Sequence, residues 1–433
     1  MSLISFHFLV FLIIVLIGYN LTPKKIELLA LASLIFLGLY SLLGVVMLVG
    51  ISLLVHLSLK KAKNFKRLSI LAIISCLVLV RLALFPEINE FAFVGLSYYG
   101  LKSIALIVKA NKTELELRPN FYQTLYYLGS FKTITSGPIH SPQFILNQLP
   151  NLKGSTINDI ILGAKHIIWG LFFKLVIANN LSMFVLDQLY QHHDYSSINI
   201  NYLFIQSFFV YFDFYAYSIL AIGIGRLFGF EIMKNFDRPY SQLSFVNFWR
   251  HWHISLSEWL RDFIYIPLGG KKSSLYGINI AVFLTFLVSG LWHAISLNFI
   301  IWCLIHFILY SVDKNFEKLS NTPIRLFINF YILSLTWVIF LQADLTIVIE
   351  VLVKSIPSTF QELGFMLFSP LTLITILLVL IYYTEPFIFR HYVRDSYGSL
   401  KHSVSEYLIS TCLLVCLVLY GGLSNQQFLY FNY

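Results

Sequence analysis

The sequence predicts an all-α polytopic membrane protein, and three observations predict it. Only 12% of the 433 residues are charged and 58% are hydrophobic, with a mean hydropathy of +0.76, whereas a soluble chain carries about a quarter charged residues. Apolar runs recur at roughly the 17–25 residues that a helix needs to cross a bilayer. Lysine and arginine gather in short segments between these runs, as they do in cytoplasmic loops.

The apolar runs predict about ten or eleven membrane-embedded helices. The runs that fit one crossing each are Leu3–Tyr19, Leu68–Phe85, Phe91–Val108, Ile157–Ala178, Leu203–Ile222, Leu326–Leu341, Leu371–Tyr383 and Tyr407–Tyr420. Leu28–Leu59 is too long for one crossing, so we expect a helical hairpin that turns near Gly44. The first run lacks a basic start and a small-residue cleavage site, so we expect a retained span and not a signal peptide.

The basic segments Pro23–Lys25 and Lys60–Arg67 flank this hairpin. Positive charge collects on the cytoplasmic side, so both ends of the hairpin are predicted to lie inside, with the amino terminus and the acidic loop Phe85–Glu90 outside. The net charge of +9 is spread over short loops, which favours this topology over nucleic-acid binding. No repeat or soluble segment is evident, so residues 1–433 are predicted to form a single membrane domain.

The four cysteines lie in apolar runs without metal-type or paired spacing. We therefore expect buried apolar fillers and no metal site. We also expect no tightly bound cofactor.

One polar stretch, "FVNFWRHWHISLSEWLRDFIYI", interrupts the apolar pattern. With Ser244 as its N-cap and Pro267 after its end, it predicts one helix with two polar stripes. Arg250, His253 and Arg261 fall on one stripe, and His251 falls on the other. Such a helix lies at the membrane interface with solvated charges, or it lines an interior chamber into which His253 points.

A histidine also occurs in the apolar run Ile278–Phe307, at His293. Since no Lys, Arg, Asp or Glu occurs from Ser273 to Val312, His293 is a candidate functional residue. The alternative is a neutral histidine bonded to a carbonyl at a helix interface. If the helix is continuous, His306 lies about 220° around from His293, and a structural role is favoured for it.

These histidines suggest acyl transfer to an alcohol. An imidazole can take the proton of a hydroxyl and pass it to a leaving group near neutral pH. The chain has no G-x-S-x-G motif and no cysteine with a clear base partner. Direct transfer from a thioester, with histidine as the base, is the chemistry that these residues support.

Two segments, "FWRHWHISLSEWLRDFIYIPLGG" and "SGLWHAISLNFIIWCLIHF", resemble the signature regions of the membrane-bound O-acyltransferase family. The resemblance is to its bacterial branch of alginate O-acetyltransferase membrane subunits, related to the teichoic acid D-alanyl transferase. "TSGPI", "FVYFDFYAYS", "NFDRPY" and the terminal "NQQFLYFNY" resemble further family stretches. The resemblance implies a ring of tilted transmembrane and re-entrant helices around a central funnel or tunnel.

The resemblance also implies roles for individual residues. The family's catalytic histidine falls on His293, as general base, and its second important histidine falls on His253. Residues expected to shape the chamber and bind the donor are Asn247, Trp249, Arg250 and Trp292. We expect Arg261 and Asp262 to hold the helix in place, Asp213 to form internal hydrogen bonds, and Lys102 and Lys174 to snorkel from helix ends.

By the same resemblance, the donor is acetyl-CoA or a related acyl thioester on the cytoplasmic side of the inner (plasma) membrane. The acceptor is an exported polysaccharide, peptidoglycan or an extracytoplasmic partner acyltransferase. The main rival is a transporter or flippase that moves an acylated or glycan precursor without covalent chemistry, although the inverted repeats common in transporters are not evident. A polysaccharide polymerase is a second rival, and would need larger extracellular loops.

Overall fold

The computed structural model describes residues 3–82, 94–111, 115, 118–190, 199–272, 274–315, 323–342, 344–361, 369–393 and 404–421. Within these ranges every regular element is helical, as the sequence predicts. The predicted outer loop Phe85–Glu90 and the terminal "NQQFLYFNY" lie outside the described residues.

The described helices are mostly apolar and are separated by short connections. In chain order they are α1 (Phe6–Leu21), α2 (Lys25–Gly38), α3 (Leu42–Leu59), α4 (Lys63–Arg81), α5 (Leu96–Asn111), α6 (Phe121–Gly129), α7 (Pro142–Leu146), α8 (Ile157–Leu171), α9 (Asn179–Tyr190), α10 (Ile200–Leu227), α11 (Phe245–His251), α12 (Ile254–Leu260), α13 (Leu275–His293), α14 (Leu297–Asn315), α15 (Pro323–Leu341), α16 (Leu345–Gln361), α17 (Pro370–Tyr392) and α18 (Val404–Tyr420). Two π-helical segments, Phe172–Ala178 and Arg261–Tyr265, follow α8 and α12.

Six helical stretches of the described chain are long and apolar enough to cross a membrane: Leu42–Leu59, Ile157–Asp187, Ile200–Leu227, Tyr276–His293, Pro323–Leu341 and Pro370–Tyr392. Three shorter apolar helices accompany them: Phe6–Leu21, Leu297–Asp313 and Val404–Tyr420. The described parts of the predicted crossings Leu68–Phe85 and Phe91–Val108 fall on α4 and α5, which belong to neither of these two groups, and residues 83–85 and 91–93 lie outside the described residues. The total of ten or eleven embedded helices stays a prediction.

The predicted hairpin between Leu28 and Leu59 is confirmed, as α2 and α3, but its turn was misplaced. The chain turns at residues 39–41, and Gly44 lies in the first turn of α3. There its N–H donates to the side chain of Ser41, the N-cap, at 3.2 Å. The serine cap, and not the glycine, was the signal for the helix start.

The described residues form two compact units, one within Met1–Ala164 and Leu220–Lys234 and one within Lys165–Ile219 and Asn235–Leu429. In the first unit α2 and α3 pack against α6, and α3 also packs against α5. In the second unit α13 packs against α14, which packs against α15. The single domain over residues 1–433 stays a prediction.

The two lysines expected to snorkel are instead buried in protein, so that prediction is wrong. Lys102 is 1% exposed, and its Nζ donates to Thr133 Oγ1 at 3.1 Å. Lys174 is 2% exposed and forms an ion pair of 2.6 Å with Asp213. Asp213 therefore has an internal bonding role, as expected.

Candidate active site

The polar stretch does not form one helix, which corrects the prediction of a continuous helix from Ser244 to Pro267. Ser244 caps α11 as expected, accepting from the N–H of Asn247 at 3.0 Å. The helix ends at His251, and α12 starts at Ile254. Between them His253 has a φ of 43°, in the left-handed region, which costs a residue with a Cβ roughly 1–2 kcal/mol.

The segment that begins at Asn235 braces this break. The backbone carbonyl of Asn235 accepts a hydrogen bond from the N–H of Ile254 at 2.9 Å, and its side-chain Oδ1 accepts one from the Ser255 hydroxyl at 2.7 Å. The N–H of Asp237 donates to the carbonyl of His251 at 3.1 Å. Tertiary hydrogen bonds on both sides thus hold His253 in a conformation that the helix alone would not adopt.

The other predicted histidine, His293, is the last residue of α13 and is 4% exposed. The chain then turns and begins α14 at Leu297. At Gly290, one turn before His293, a Cβ would run into Cys303 of α14 and lie 2.9 Å from the Phe299 carbonyl oxygen. The glycine therefore allows the two helices to approach closely beside the histidine.

Trp292 contacts both histidine rings. Its ring centroid lies 6.1 Å from that of His253 and 4.8 Å from that of His293, edge to face in both cases. His253 is 2% exposed and also lies 4.7 Å from the Phe214 ring. The predicted residues His253, Trp292 and His293 are thus brought together in a largely buried aromatic cluster.

Aromatic side chains of α14 and α15 complete the surroundings of His293. Phe299 stacks on the imidazole at 5.7 Å, and Phe340 meets it edge-on at 5.0 Å. Trp302 lies 6.2 Å from it. Asn298, which donates to the carbonyl of Gln342 at 2.7 Å, ties the start of α14 to the end of α15. The arrangement packs the imidazole between three apolar rings.

Trp249 belongs to an adjoining part of this cluster. Its ring lies 5.5 Å from Trp302 and 5.1 Å from His306, and His306 is 1% exposed. Neither ring nitrogen of His306 has a hydrogen-bond partner in the described part of the chain. Because α13 and α14 are separate helices, the angle expected from a continuous helix does not apply, and Trp302 links His306 to His293.

The remaining predicted residues lie at the surface of this region. Arg250 is exposed and donates to the side chain of Asn247 at 3.1 Å. His251 bonds the Asn247 carbonyl at 2.8 Å, and Arg261 pairs with its neighbour Asp262 at 2.8 Å.

Burial decides the electrostatics of the polar stretch. It lowers the pKa of His253 from 6.5 to about 3, because a charged imidazole would lose its hydration there. His253 is therefore neutral near pH 7. This favours the interior reading over a solvated interfacial helix for His253, while Arg250 and Arg261 remain exposed.

The described part of the second unit balances its buried charges internally. Besides Lys174 and Asp213, ion pairs join Lys165 to Glu406 at 2.8 Å and Arg325 to Asp313 at 2.7 Å. Glu385 accepts hydrogen bonds from Trp169 and Tyr215. Buried ionisable groups of this kind need partners, so we assign structural roles to these groups.

Sequence reasoning missed Phe299, Trp302 and Phe340, because only the turn between α13 and α14 and the packing of α15 bring these rings to His293. Ser296, whose side chain faces the Phe299 N–H at 3.5 Å, signals the new helix start. In the sequence, Asn235 stands out only as part of the family-like stretch "NFDRPY". Its side-chain bond to Ser255 has no local signal, because the two residues are 20 positions apart.

Comparisons with known proteins find sequence similarity over much of the chain. The model of the membrane-bound O-acyltransferase family matches residues 2–341. The chain is 32% identical to the probable alginate O-acetylase of Pseudomonas syringae pv. tomato, over 58% of this chain and 49% of that protein. It is 33% identical to the peptidoglycan O-acetyltransferase of Helicobacter pylori, over 54% of this chain and 46% of that protein. It is 28% identical to the teichoic acid D-alanyltransferase of Bacillus subtilis, over 54% of this chain and 62% of that protein. The chain spans about half the length of these curated relatives.

Proposed function

Because the chain belongs to the membrane-bound O-acyltransferase family, we propose that it is a membrane-embedded O-acyltransferase. It transfers an acyl group, an acetyl group in the first instance, from a thioester to a hydroxyl. The observation that carries the proposal is the contact of one tryptophan, Trp292, with two buried imidazoles, His253 and His293. Multi-pass membrane insertion follows from the family and the apolar helices.

His293 is the general base of the proposed reaction. It takes the proton of the acceptor hydroxyl as that oxygen attacks the thioester carbonyl, and the collapse of the tetrahedral intermediate expels the thiolate, which receives the proton. His293 is the last residue of α13, where the helix dipole favours a positive charge. The imidazolium formed during the reaction therefore stands at a favourable position.

His253 acts beside it as a neutral partner. A neutral imidazole has one N–H donor and one acceptor nitrogen, so it can orient a reactant or donate to the developing oxyanion without carrying charge. Its fixed backbone conformation suits such positioning, since small displacements of catalytic groups cost large factors in rate. Trp292 and Trp249 shape the cluster, and Asn247 and Arg250, from the exposed side, bind the polar part of the donor.

The relatives' names guide the choice of substrates. They concern alginate, peptidoglycan and teichoic acid, so the proposed acceptor is a hydroxyl of an exported cell-envelope polymer or of an extracytoplasmic partner acyltransferase. The proposed donor is acetyl-CoA or a related thioester reaching the inner membrane from the cytoplasm. A funnel between the two sides would let both reach His293.

The test measures acyl transfer from a radiolabelled thioester in membranes containing the full chain. His293→Ala should abolish transfer, by a factor of about a hundred to ten thousand for loss of a general base. His251→Ala is the matched control and should retain most activity, because the described hydrogen bond of the His251 ring is to the backbone carbonyl of Asn247, and alanine keeps the backbone bond from Asp237.

Two outcomes would reject the proposal. Equal and full transfer by wild type, His293→Ala and His251→Ala would remove His293 as the base. Movement of a glycan precursor across the membrane, lost in His293→Ala, with no acylated product from wild type, would favour a transporter.

A further inference from the structure

The first unit buries three basic side chains in one short region. Lys102 of α5 is 1% exposed, Lys132 is 0% exposed and His140 is 2% exposed. Lys132 and His140 both lie in the irregular segment between α6 and α7. Burial, and then the charges of Lys102 and Lys132, lower the pKa of His140 well below its usual value. Lys102 Nζ also lies 3.1 Å from Oγ1 of Thr133, the residue after Lys132, so the two lysines belong to the same neighbourhood.

No buried carboxylate of the described first unit accompanies these amines. The buried acidic residues of the described chain all belong to the second unit, and they are Asp213, Asp313, Glu385 and Glu406. There a lysine or arginine pairs with three of them. In the described first unit, the amines of Lys102 and Lys132 thus lack the buried carboxylate that Lys165 and Lys174 have in the second unit.

Two donors of this region also lack an acceptor. Lys132 Nζ makes no hydrogen bond within the described residues, and it lies 3.7 Å from the centroid of the Phe230 ring. Ser136 Oγ, four residues further on, is buried and equally without a partner there. Lys102 Nζ has one bond, to Thr133 Oγ1. An aromatic ring offers an ammonium an attractive face but no acceptor atom.

We propose that Lys102, Lys132 and Ser136 bind the phosphate group of a ligand. A phosphate carries up to two negative charges and three strong acceptor oxygens, which match two amines and a hydroxyl better than the single charge of a carboxylate does. Bound phosphate would give Lys132 a charge-assisted hydrogen bond in place of the missing acceptor. The source is a phospholipid headgroup or a soluble phosphate, and the chemistry is common to both.

The test uses the purified full chain in detergent and compares thermal unfolding in inorganic phosphate and in chloride at equal ionic strength. Phosphate should raise the melting temperature of wild type but not of Lys132→Met or Lys102→Met beyond the general salt effect. Phosphate affinity in each variant should fall by about tenfold or more, as expected for one lost charge-assisted bond. Lys61→Met, at an exposed lysine, is the matched control and should behave as wild type.

Two further measurements sharpen the outcome. Without phosphate, Lys132→Met should melt no lower than wild type, because methionine replaces an unpaired buried amine. A variant that melts normally but does not respond to phosphate is therefore folded and has lost the binding site. Native mass spectrometry should then compare retention of phosphatidylglycerol with that of diacylglycerol, which has no phosphate. Lysine-dependent retention of phosphatidylglycerol identifies a lipid source, and a lysine-dependent response to inorganic phosphate alone identifies a soluble one. Identical behaviour of wild type and Lys132→Met in both arms overturns the proposal.

Discussion

The hydroxyl of Ser255 lies 2.7 Å from Oδ1 of Asn235, and the same oxygen also lies 3.3 Å from the backbone nitrogen of Ser255. One amide oxygen thereby satisfies two donors in the first turn of α12, two residues after His253. The carbonyl of Asn235 accepts from Ile254 as well. The backbone that follows His253 is therefore held by a segment outside α12.

Replacing Asn235 by alanine should lower kcat of the proposed acyl transfer by about ten- to a hundredfold with little change in KM. The variant removes the acceptor that positions α12, and modest misplacement of a catalytic group costs this much. Steady-state kinetics in membranes measure the effect. Asn180→Ala is the control, because Asn180 is exposed. An unchanged kcat in Asn235→Ala would show that the brace is not needed for the reaction.

Substitutions at His253 should distinguish the contribution of its left-handed backbone conformation from that of its imidazole ring. Glycine tolerates a positive φ, asparagine tolerates it better than most residues, and alanine does not. All three variants remove a buried ring and should be less stable than wild type, and His253→Ala should lose about 1 kcal/mol more than His253→Gly. All three should lose activity if the imidazole takes part in the reaction.

Thermal unfolding and acyl transfer, measured on the same preparations, distinguish these roles. If His253→Gly kept full acyl transfer, the imidazole would take no part in the reaction, and only the backbone conformation at this position would matter. If alanine and glycine variants were equally stable, the left-handed conformation would carry no cost.

The sequence predicted the fold class and most helices because apolar runs report directly on membrane helices. It also located His253, Trp292 and His293, which the structure brings together. It failed where tertiary contacts override local pattern. The polar stretch has helical periodicity on both sides of Trp252, so nothing local marks the break that Asn235 stabilises.

The buried lysines illustrate the same limit. Lys102 and Lys174 stand in apolar runs as a snorkelling lysine would, and sequence position alone does not separate the two cases. Lys174 is buried because Asp213, 39 residues away in the chain, pairs with it. Such a pair becomes visible only when the helices are placed.

Acid should destabilise the protein partly through His253. Burial lowers the pKa of His253 in the folded state to about 3, while in the unfolded state it is near 6.5. Between these values the unfolded state binds the proton, so the stabilising contribution is present above pH 6.5 and is lost as the pH falls. The loss should reach about 2 kcal/mol at pH 5.

Melting curves at pH 8 and pH 5 test this contribution. The wild type should lose more stability on acidification than His253→Asn, which has no group titrating there. His251→Asn, at the half-buried neighbouring histidine, is the control for replacing a histidine by asparagine in this segment. Equal losses in wild type and His253→Asn would mean that His253 does not remain neutral in the folded protein.

The buried pair of Lys174 and Asp213 should show strong coupling in a double-mutant cycle. Each side chain is 2% exposed, and the ion pair is 2.6 Å long. Removing one partner, as in Lys174→Met or Asp213→Leu, leaves an uncompensated buried charge and should cost about 3–5 kcal/mol of unfolding free energy. Removing both replaces the pair by apolar groups and should restore much of the stability. Thermal unfolding of the four proteins gives the coupling free energy between the two side chains. If the double variant lost as much unfolding free energy as the two single variants together, the two charges would not depend on each other.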